Sequence, residues 1–209
     1  MMSKRISIID YGLGNIKSVV NMFRKIGAEV EVVGDPDGII RSEKLILPGV
    51  GAFDLGISNI VERRMLQSLN QKVLEEKIPV LGICLGMQLF ANKSEEGDGP
   101  GLNWIDDRVR RFTIPAAAAA LRVPHIGWNE VKPVKDHFLF ENIPSPMRFY
   151  FVHSYHYSGE NRDILIGSAE YGYEFPAVIA RDNIMGVQFH PEKSHVFGMT
   201  LLKNFAEGC

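Results

Sequence analysis

The segment VLGICLGMQLF at residues 80–90 constrains the fold of this chain more than any other stretch. An apolar run typical of a buried strand ends at Gly82-Ile83, Cys84 follows, and a helix is predicted to begin at Leu85-Gly86. A strand that turns sharply into a helix, with a nucleophile between two glycines, is the G-x-nucleophile-x-G elbow. Glycines are needed there because the tight turn leaves no room for β-carbons beside the nucleophile.

Two interpretations of Cys84 follow from this pattern. At a helix N-terminus, the dipole and the free backbone N–H groups stabilise a thiolate, and the N–H of Leu85 is the natural donor to an oxyanion. The other interpretation is a small buried hydrophobic side chain, because free cysteines are often buried. Both stay open on these five residues, since the pattern is short.

The first half of the chain alternates between two hydrophobic periods. Strands are predicted at 5–10, 28–33, 43–49 and 78–83, and helices at 16–26, at 53–76 with a break near Arg64, and at 85–92. Strands that alternate with helices favour a parallel sheet with helices on both faces, the α/β class.

After residue 100 the pattern changes to strands in succession. They are predicted at 108–112, 128–134, 148–155, 164–171, 176–183 and 184–190, with a final helix at about 196–205. We therefore expect additional antiparallel strands in the C-terminal half. Since no repeat and no linker is visible, residues 1–209 are predicted to form a single domain.

Composition excludes several classes of function. The net charge of -2 and the pI near 6.3 argue against a nucleic-acid partner, whose footprint is basic. The apolar runs are shorter than the roughly 18 residues of a membrane span, and no signal peptide is expected before the first strand. Two cysteines, Cys84 and Cys209, make no disulfide framework, so a cytoplasmic location is expected.

The segment GVQFHPEKS at 186–194 supplies partners for Cys84. Pro191 restricts His190 to an extended conformation, and the two-residue offset places Glu192 on the same side of an extended segment as His190. A cysteine nucleophile needs a base, and the base needs an orienting acceptor. Taken singly, His190 could be a strand-end histidine and Glu192 a solvated loop carboxylate, but the joint arrangement favours a catalytic triad.

Three motifs in order, PGVGAF, GICLGMQLF and GVQFHPEKS, resemble the class I glutamine amidotransferase family over nearly the whole chain. The resemblance implies a flavodoxin-like architecture and a glutaminase that needs no cofactor and no metal. It also implies that Cys84 attacks the side-chain amide of glutamine. His190 then protonates the departing ammonia and activates water against the glutamyl thioester, while Glu192 holds His190.

The same resemblance implies further site residues. PGVG matches the oxyanion strand, with the backbone N–H of Val50 as donor and Gly49 and Gly51 beside the substrate. Gln88 corresponds to the residue that holds glutamine. The backbone of VHSY, with His153, Ser154 and Tyr155, corresponds to the segment that reads the amino and carboxylate groups of the substrate. The alternatives are an exposed helix residue for Gln88 and an ordinary strand end for VHSY.

A narrower resemblance rests on DYGLGNIKSV, GAFDLGI, VPHIGWNEV and YFVHSY, which are similar to the glutaminase subunits of imidazole glycerol phosphate synthases in histidine biosynthesis. It implies a heterodimer with a separate (β/α)8-barrel cyclase. Trp104 and Asp106 depart from that subfamily's usual pattern. A related sugar-amidating enzyme of surface polysaccharide biosynthesis is therefore the alternative, beside a different cysteine hydrolase or a non-catalytic subunit.

The narrower resemblance also implies where the partner binds and how it acts. His125, Trp128 and Lys193 are expected near the barrel, with core packing as the alternative for Trp128. Asn15, in the loop after the first strand, is expected to gate the oxyanion strand. The glycines on either side of Val50 make its peptide free to rotate. The alternative is a rigid loop whose glycines only make a tight turn.

Overall fold

The computed structural model describes residues 5–208, so Cys209 lies outside the described residues. Its strands are β1 (Ile6–Ile9), β2 (Val30–Val33), β3 (Lys44–Gly49), β4 (Val80–Cys84), β5 (Lys93–Ser94), β6 (Arg108–Arg111), β7 (His125–Glu130), β8 (Lys132–Pro133), β9 (Arg148–His153), β10 (Tyr155–Tyr157), β11 (Leu165–Glu170), β12 (Glu174–Arg181) and β13 (Ile184–Val187). Its α-helices are α1 (Ile16–Lys25), α2 (Pro36–Ile40), α3 (Phe53–Glu62), α4 (Leu66–Asn70), α5 (Leu85–Gln88) and α6 (His195–Gly208). A π turn covers Gln71–Glu75, and 3-10 turns cover Ala116–Ala118, Phe138–Phe140 and Pro191–Lys193.

An eight-stranded sheet forms the centre, in the order β2-β1-β3-β4-β13-β12-β11-β8. The pairings from β2 to β13 are parallel, and those from β13 to β8 are antiparallel. Two smaller sheets, β10-β6-β5 and β7-β9, carry the remaining strands. The predicted parallel sheet with antiparallel additions in the C-terminal half is thereby confirmed.

Helices cover both faces of the sheet, as the alternating pattern predicts. Along β3, Ile46 packs into one hydrophobic core, while Leu45 and Leu47 pack into the other. The first core takes its helical side chains from α1 and α6, and the second takes them from α2, α3, α4 and α5. Within residues 5–208, no helix has the length and apolar character that crossing a membrane requires.

The helix after Cys84 is shorter than predicted. It ends at Gln88 instead of continuing to Asn92. The reason is that the N–H groups that would continue it find other acceptors: Phe90 N and Ala91 N donate to carbonyl groups three residues back, and Asn92 N donates to Asp107 O. Trp104 is fully buried against Phe90, and its Nε1 donates to Asn70 Oδ1 at 2.8 Å.

Several other boundaries differ from the prediction for similar reasons. The strand predicted at 148–155 is two strands, because β9 pairs with β7 whereas β10, after Ser154, pairs with β6. The strand predicted at 128–134 lies at 125–130, with β8 following it. The helix predicted at 53–76 does break at Arg64, which has a positive φ of 59°. Helix α2 and strand β5 were not predicted.

Candidate active site

Cys84 lies where β4 becomes α5, with φ 53° and ψ -109°, a strained backbone for a residue other than glycine. The flanking glycines are required by close contacts. A β-carbon on Gly82 would lie 2.6 Å from Met87 N, and one on Gly86 would lie 1.7 Å from Leu47 O. The predicted elbow is therefore present, and it buries the thiol at the carboxyl edge of the parallel strands.

His190 and Glu192 are in contact, although not for the reason that the sequence suggested. His190 is extended, but Glu192 lies in the 3-10 turn Pro191–Lys193 and not on an extended segment. The turn brings Glu192 Oε1 within 2.8 Å of His190 Nδ1, and both side chains are almost completely buried. Because the carboxylate only accepts, Nδ1 carries the proton.

The electrostatics of this pair favour a protonated imidazole. Burial lowers the pKa of His190, but the nearby Cys84 and Glu192 outweigh burial and raise that pKa to about 10. The second ring nitrogen, Nε2, is buried and has no hydrogen-bond partner among the described residues. A donor-competent nitrogen is thus left for a reacting group beside Cys84.

The sulfur of Cys84 is held by two other groups. As a thiol it points toward Val152 O at 3.9 Å, and Gln188 Nε2 points at the sulfur from 3.7 Å. No hydrogen bond joins the sulfur to His190 Nε2 in residues 5–208. Catalytic contacts of this kind commonly tighten only when substrate is bound.

Gln88 is buried and forms part of a chain of hydrogen bonds to the nucleophile. Its Nε2 donates to Tyr155 O at 2.9 Å and to Gln188 Oε1 at 3.1 Å. Gln188 in turn contacts Cys84, as described above. The alternative of an exposed helix residue is therefore wrong for Gln88.

A cleft of about 380 Å³ opens in front of the nucleophile. This volume lies at the small end of the range typical of ligand sites. The cleft brings together most of the residues predicted from the sequence and adds Glu96: its lining is Val50, Gly51, Cys84, Leu85, Gln88, Glu96, Val152, His153, Ser154, Tyr155 and Lys193. Among residues 5–208, no group of three or more potential metal ligands is present.

The oxyanion strand lies against the elbow. Gly49 packs so closely on Leu85 and Gly86 that a β-carbon would lie 2.7 and 2.8 Å from their Cβ and N atoms, so its role is close packing and not lining of the cleft. Val50 is partly exposed at the cleft, and Gly51 has a positive φ of 121°. Leu85 and Gly86 occupy the first helical turn, where N–H groups have no partner within the helix.

The loop after β1 packs on this strand, as expected. A β-carbon on Gly14 would lie 3.3 Å from Pro48 C and O. The side chain of Asn15 caps no backbone N–H of α1, although its backbone oxygen accepts from Ser18 and Val19. The residue before Asn15 thus contacts the oxyanion strand, and the gating role of Asn15 stays a prediction.

The ring of His153 contacts a second histidine. Its Nδ1 contacts Tyr155 O at 2.8 Å, so Nδ1 is the donor and Nε2 accepts from His125 Nδ1 at 3.1 Å. The remaining nitrogen of His125 contacts Asn129 Nδ2 at 3.3 Å. Burial lowers the pKa of His125 to about 4 and that of His153 well below its usual range. Both ring nitrogens of His153 are therefore engaged within the protein, which leaves neither for a ligand in the cleft.

Trp128 and Lys193 lie at the surface near the cleft. Trp128 is 39% exposed and stacks on His195 at 5.5 Å, so core packing does not describe it. Ile126, on the same strand β7, is 59% exposed. Lys193 lines the cleft, and its ammonium lies over the ring of Tyr150 at 5.7 Å.

Three residues of the site were missed by sequence reasoning. Gln188 lies inside GVQFHPEKS, so the motif itself could have signalled it. Glu96 enters the cleft from a turn with no pattern of its own. Tyr11 is fully buried, and within residues 5–208 its hydroxyl has no hydrogen-bond partner; it lies 2.5 Å from where a β-carbon on Gly49 would be. Burial and the nearby Cys84 raise the pKa of that hydroxyl far above its usual range.

Comparison with known proteins agrees with this geometry. The family model "Glutamine amidotransferase class-I" matches residues 7–209. The chain is 48% identical over 202 residues to "Imidazole glycerol phosphate synthase subunit HisH" of Bdellovibrio bacteriovorus, covering 97% of this chain and 99% of that one. It is 46% identical over 202 residues to "Imidazole glycerol phosphate synthase subunit HisH 2" of Pseudomonas aeruginosa, covering 97% and 98%.

Solved structures show the same fold. A glutamine amidotransferase from Thermotoga maritima has a TM-score of 0.64 at 22% identity, covering 100% of this chain and 83% of that one. PurLQS from Thermotoga maritima has a TM-score of 0.72 at 17% identity, covering 98% of both chains. At these sequence identities the structural similarity shows the fold alone. The family match and the HisH relatives show that this chain belongs to the class I glutamine amidotransferase family.

Proposed function

We propose that this chain is the glutaminase subunit of an imidazole glycerol phosphate synthase in histidine biosynthesis, which hydrolyses glutamine to glutamate and ammonia. The observation that carries the chemistry is Cys84 on the elbow beside the buried His190–Glu192 pair. The names of the relatives favour the histidine pathway over the sugar-amidating alternative. An intact Cys84 and His190 argue against a non-catalytic subunit.

The first half-reaction makes a thioester. The raised pKa of His190 keeps the proton on the imidazole, so Cys84 attacks the amide carbon of glutamine as a thiolate. The N–H groups of Leu85 and Val50 stabilise the oxyanion that forms. His190 then gives its proton to the amide nitrogen, the C–N bond breaks, and ammonia leaves.

The second half-reaction releases glutamate. The neutral His190 takes a proton from water, and the resulting hydroxide attacks the thioester carbon. The C–S bond breaks, the Cys84 thiolate returns, and His190 is again protonated. Glu192 keeps the same Nδ1 contact throughout, which fixes the ring and stabilises its positive charge.

Substrate contacts can be assigned by hydrogen-bond capacity. Tyr155 O already accepts from Gln88 and His153, so it is not available to the substrate ammonium, and we assign the VHSY segment to the substrate carboxylate through its backbone N–H groups. Glu96 is the carboxylate in the lining of the cleft, which suits the substrate ammonium. Burial raises the pKa of Glu96, and its hydrogen bond from Phe53 N opposes this.

The partner is proposed to be a separate (β/α)8-barrel synthase subunit that receives the ammonia. The exposed Ile126 and Trp128 on β7, with Lys193 at the cleft, are the surface that we assign to it. Two further proposals concern the whole chain. We propose that residues 1–209 form one domain, which is supported by the single sheet that both cores share. We also propose a cytoplasmic location, which is supported by the free thiol that catalysis needs.

We further propose that partner binding turns the peptide before Val50 so that its N–H faces the oxyanion, with Asn15 holding one orientation. One oxyanion donor is worth about 10²–10³-fold in rate.

The test compares glutaminase rates for the free chain, the chain with its barrel partner, and both with acceptor. Rates that rise only with the imidazole-pathway acceptor are expected. Equal rates in all three would contradict the switch, and no glutaminase activity in any would contradict the function.

A further inference from the structure

Gln188 is a fully buried amide between the nucleophile and the residue proposed to hold glutamine. It follows β13, and its backbone N–H is fixed by Ala177 O at 2.9 Å. Its side chain contacts Gln88 at 3.1 Å through Oε1 and the Cys84 sulfur at 3.7 Å through Nε2. Both ends of the amide therefore meet groups of the active site.

The direction of these hydrogen bonds is set by a backbone carbonyl. Tyr155 O can only accept, so the Gln88 amide must turn its Nε2 toward it. The second N–H on that nitrogen then meets Gln188, which must present Oε1. The Nε2 of Gln188 is left to face Cys84, so the chain ends with a donor pointing at sulfur.

We propose that Gln188 stabilises the Cys84 thiolate by donating a hydrogen bond to it and positions Gln88 to accept a hydrogen bond from the substrate. This inference deepens the proposed glutaminase function and rests on it. A hydrogen bond to an ionised acceptor is about twice as strong as one between neutral groups. The donor from Gln188 therefore gains strength as the thiol becomes a thiolate.

The other contact of the sulfur works in the opposite direction. Val152 O can pair only with a protonated thiol, because two acceptors repel each other. Deprotonation thus loses the Val152 contact and strengthens the Gln188 contact. Gln188 is the described neighbour whose hydrogen bond to sulfur favours the reactive form while His190 Nε2 stays free for the substrate nitrogen.

The orientation of Gln88 has a consequence for substrate recognition. Both N–H groups of its amide are used, by Tyr155 and Gln188, which leaves Oε1 as its free polar atom. The amide therefore selects donors, namely the ammonium or the carboxamide NH₂ of an amino-acid amide. If Gln188 no longer accepts, the Gln88 amide is held by Tyr155 O alone, so its Oε1 is fixed less firmly toward the substrate.

Two substitutions separate the two roles. Gln188→Glu keeps an acceptor for Gln88 but places a carboxylate oxygen against sulfur. Because a carboxyl group is a far stronger acid than a thiol, the negative charge stays on the carboxylate and the sulfur keeps its proton. Gln188→Met fills the space but removes both contacts. Gln67→Glu, on the exposed side of α4, makes the same charge change away from the site.

The first measurement is the rate of Cys84 alkylation by iodoacetamide between pH 5 and 10, followed by peptide mass spectrometry, which separates Cys84 from Cys209. We expect Cys84 of Gln188→Glu to be alkylated about 10- to 100-fold more slowly at neutral pH. We also expect the rise of the alkylation rate with pH to occur at higher pH. Gln188→Met should shift in the same direction and Gln67→Glu should not. Alkylation needs neither glutamine nor partner, so it tests Gln188 even if the proposed function fails.

The second measurement is steady-state glutaminase kinetics with the partner present. Gln188→Glu should lower kcat by about 10- to 100-fold with KM for glutamine within about twofold, whereas Gln188→Met should also raise KM. If the role of Gln188 were only structural, both variants would have lower thermal stability, and the pH dependence of Cys84 alkylation would be unchanged. An unshifted profile in folded Gln188→Glu overturns the thiolate role, and an unchanged KM in Gln188→Met overturns the positioning role.

Discussion

At the scale of single residues, the site is a balance between burial and charge. Burial alone would make His190 neutral, yet its contacts with Glu192 and Cys84 raise its pKa to about 10. The buried His153 has no acidic partner, and its pKa falls well below the usual range. His190 is thus favoured in its protonated form and His153 in its neutral form. This difference suits His190 to proton transfer and His153 to a structural role.

The triad prediction separates proton transfer from orientation. His190→Ala should lower glutaminase turnover by about 10²–10⁴-fold, because the proton carrier is removed. Glu192→Gln should cost less, since an amide oxygen can still accept from Nδ1. Both are measured as kcat with the partner present. Near-normal turnover in His190→Ala would show that another group moves the proton. His153 is a poor substitute, because both its ring nitrogens are engaged.

At the scale of secondary-structure elements, the elbow depends on how closely α5 approaches β3. The single helical turn Leu85–Gln88 is short because Phe90 N and Ala91 N donate to carbonyl groups three residues back and Asn92 N donates to Asp107 O. Its N-terminal N–H groups stay beside Cys84 only while Gly86 lies directly on Leu47 O. The position of the oxyanion donor is therefore decided by a strand–helix contact and not by the helix itself.

A pair of glycine substitutions tests this contact. Gly86→Ala would place a β-carbon 1.7 Å from a backbone oxygen, so it should destabilise the fold by about 3 kcal/mol or more and abolish thioester formation. Gly34→Ala is the control, because its β-carbon would meet only Asp10 O at 3.6 Å. Urea denaturation and glutaminase rate are the measurements. Equal stability of the two variants would contradict the packing argument.

At the scale of the whole molecule, one sheet separates two cores and places the site at its carboxyl edge. An aromatic cluster lies beside the site and contains three buried histidines: Phe112 contacts His125, His153 and His156. Through Asn129, His125 and His153, this cluster connects strand β7 to Tyr155 O, where the Gln88–Gln188 chain also ends. Two chains of hydrogen bonds, one from strand β7 and one from the nucleophile, thus end at the same carbonyl group, Tyr155 O.

The buried histidines predict how stability depends on pH. Burial lowers the pKa of His125 and His156 to about 4, against about 6.5 in the unfolded chain. The unfolded state therefore binds more protons between these values, and the free energy of unfolding falls as pH drops from about 6.5 to 4. Urea denaturation at several pH values should show a flatter dependence in His156→Gln. An identical slope in parent and variant would contradict this assignment.

The exposed face of β7 makes a prediction about assembly. Trp128→Ala should weaken binding to the barrel partner by about tenfold or more, because large aromatic side chains carry much of the energy of interfaces. Its effect on the unfolding of the free chain should be small, since the ring is 39% exposed. Leu74→Ala, 41% exposed in the π turn before the amino end of β4, is the control. Equal affinity of both variants, measured by calorimetry, would move the interface elsewhere.

The sequence by itself determined the elements whose cause is local. Glycines around Cys84 predict the elbow because only a sharp turn needs them, and hydrophobic period predicts the parallel sheet because it reports which faces are buried. GVQFHPEKS likewise predicts the His190–Glu192 contact, since the two partners are only two positions apart. The contact forms in a 3-10 turn and not along an extended segment. A spacing of two positions fits both conformations, so the sequence could not tell them apart.

Only the tertiary structure decided which distant side chains meet. Gln188 reaches Cys84 across 104 residues, and Gln88 reaches Tyr155 O across 67. Just beyond α5, Asn92 N donates to Asp107 O, a group that arrives from a later loop and that the local pattern does not reveal. Period and spacing report burial and local turns, whereas hydrogen bonds between buried polar groups depend on sheet order and register, which place these residues side by side.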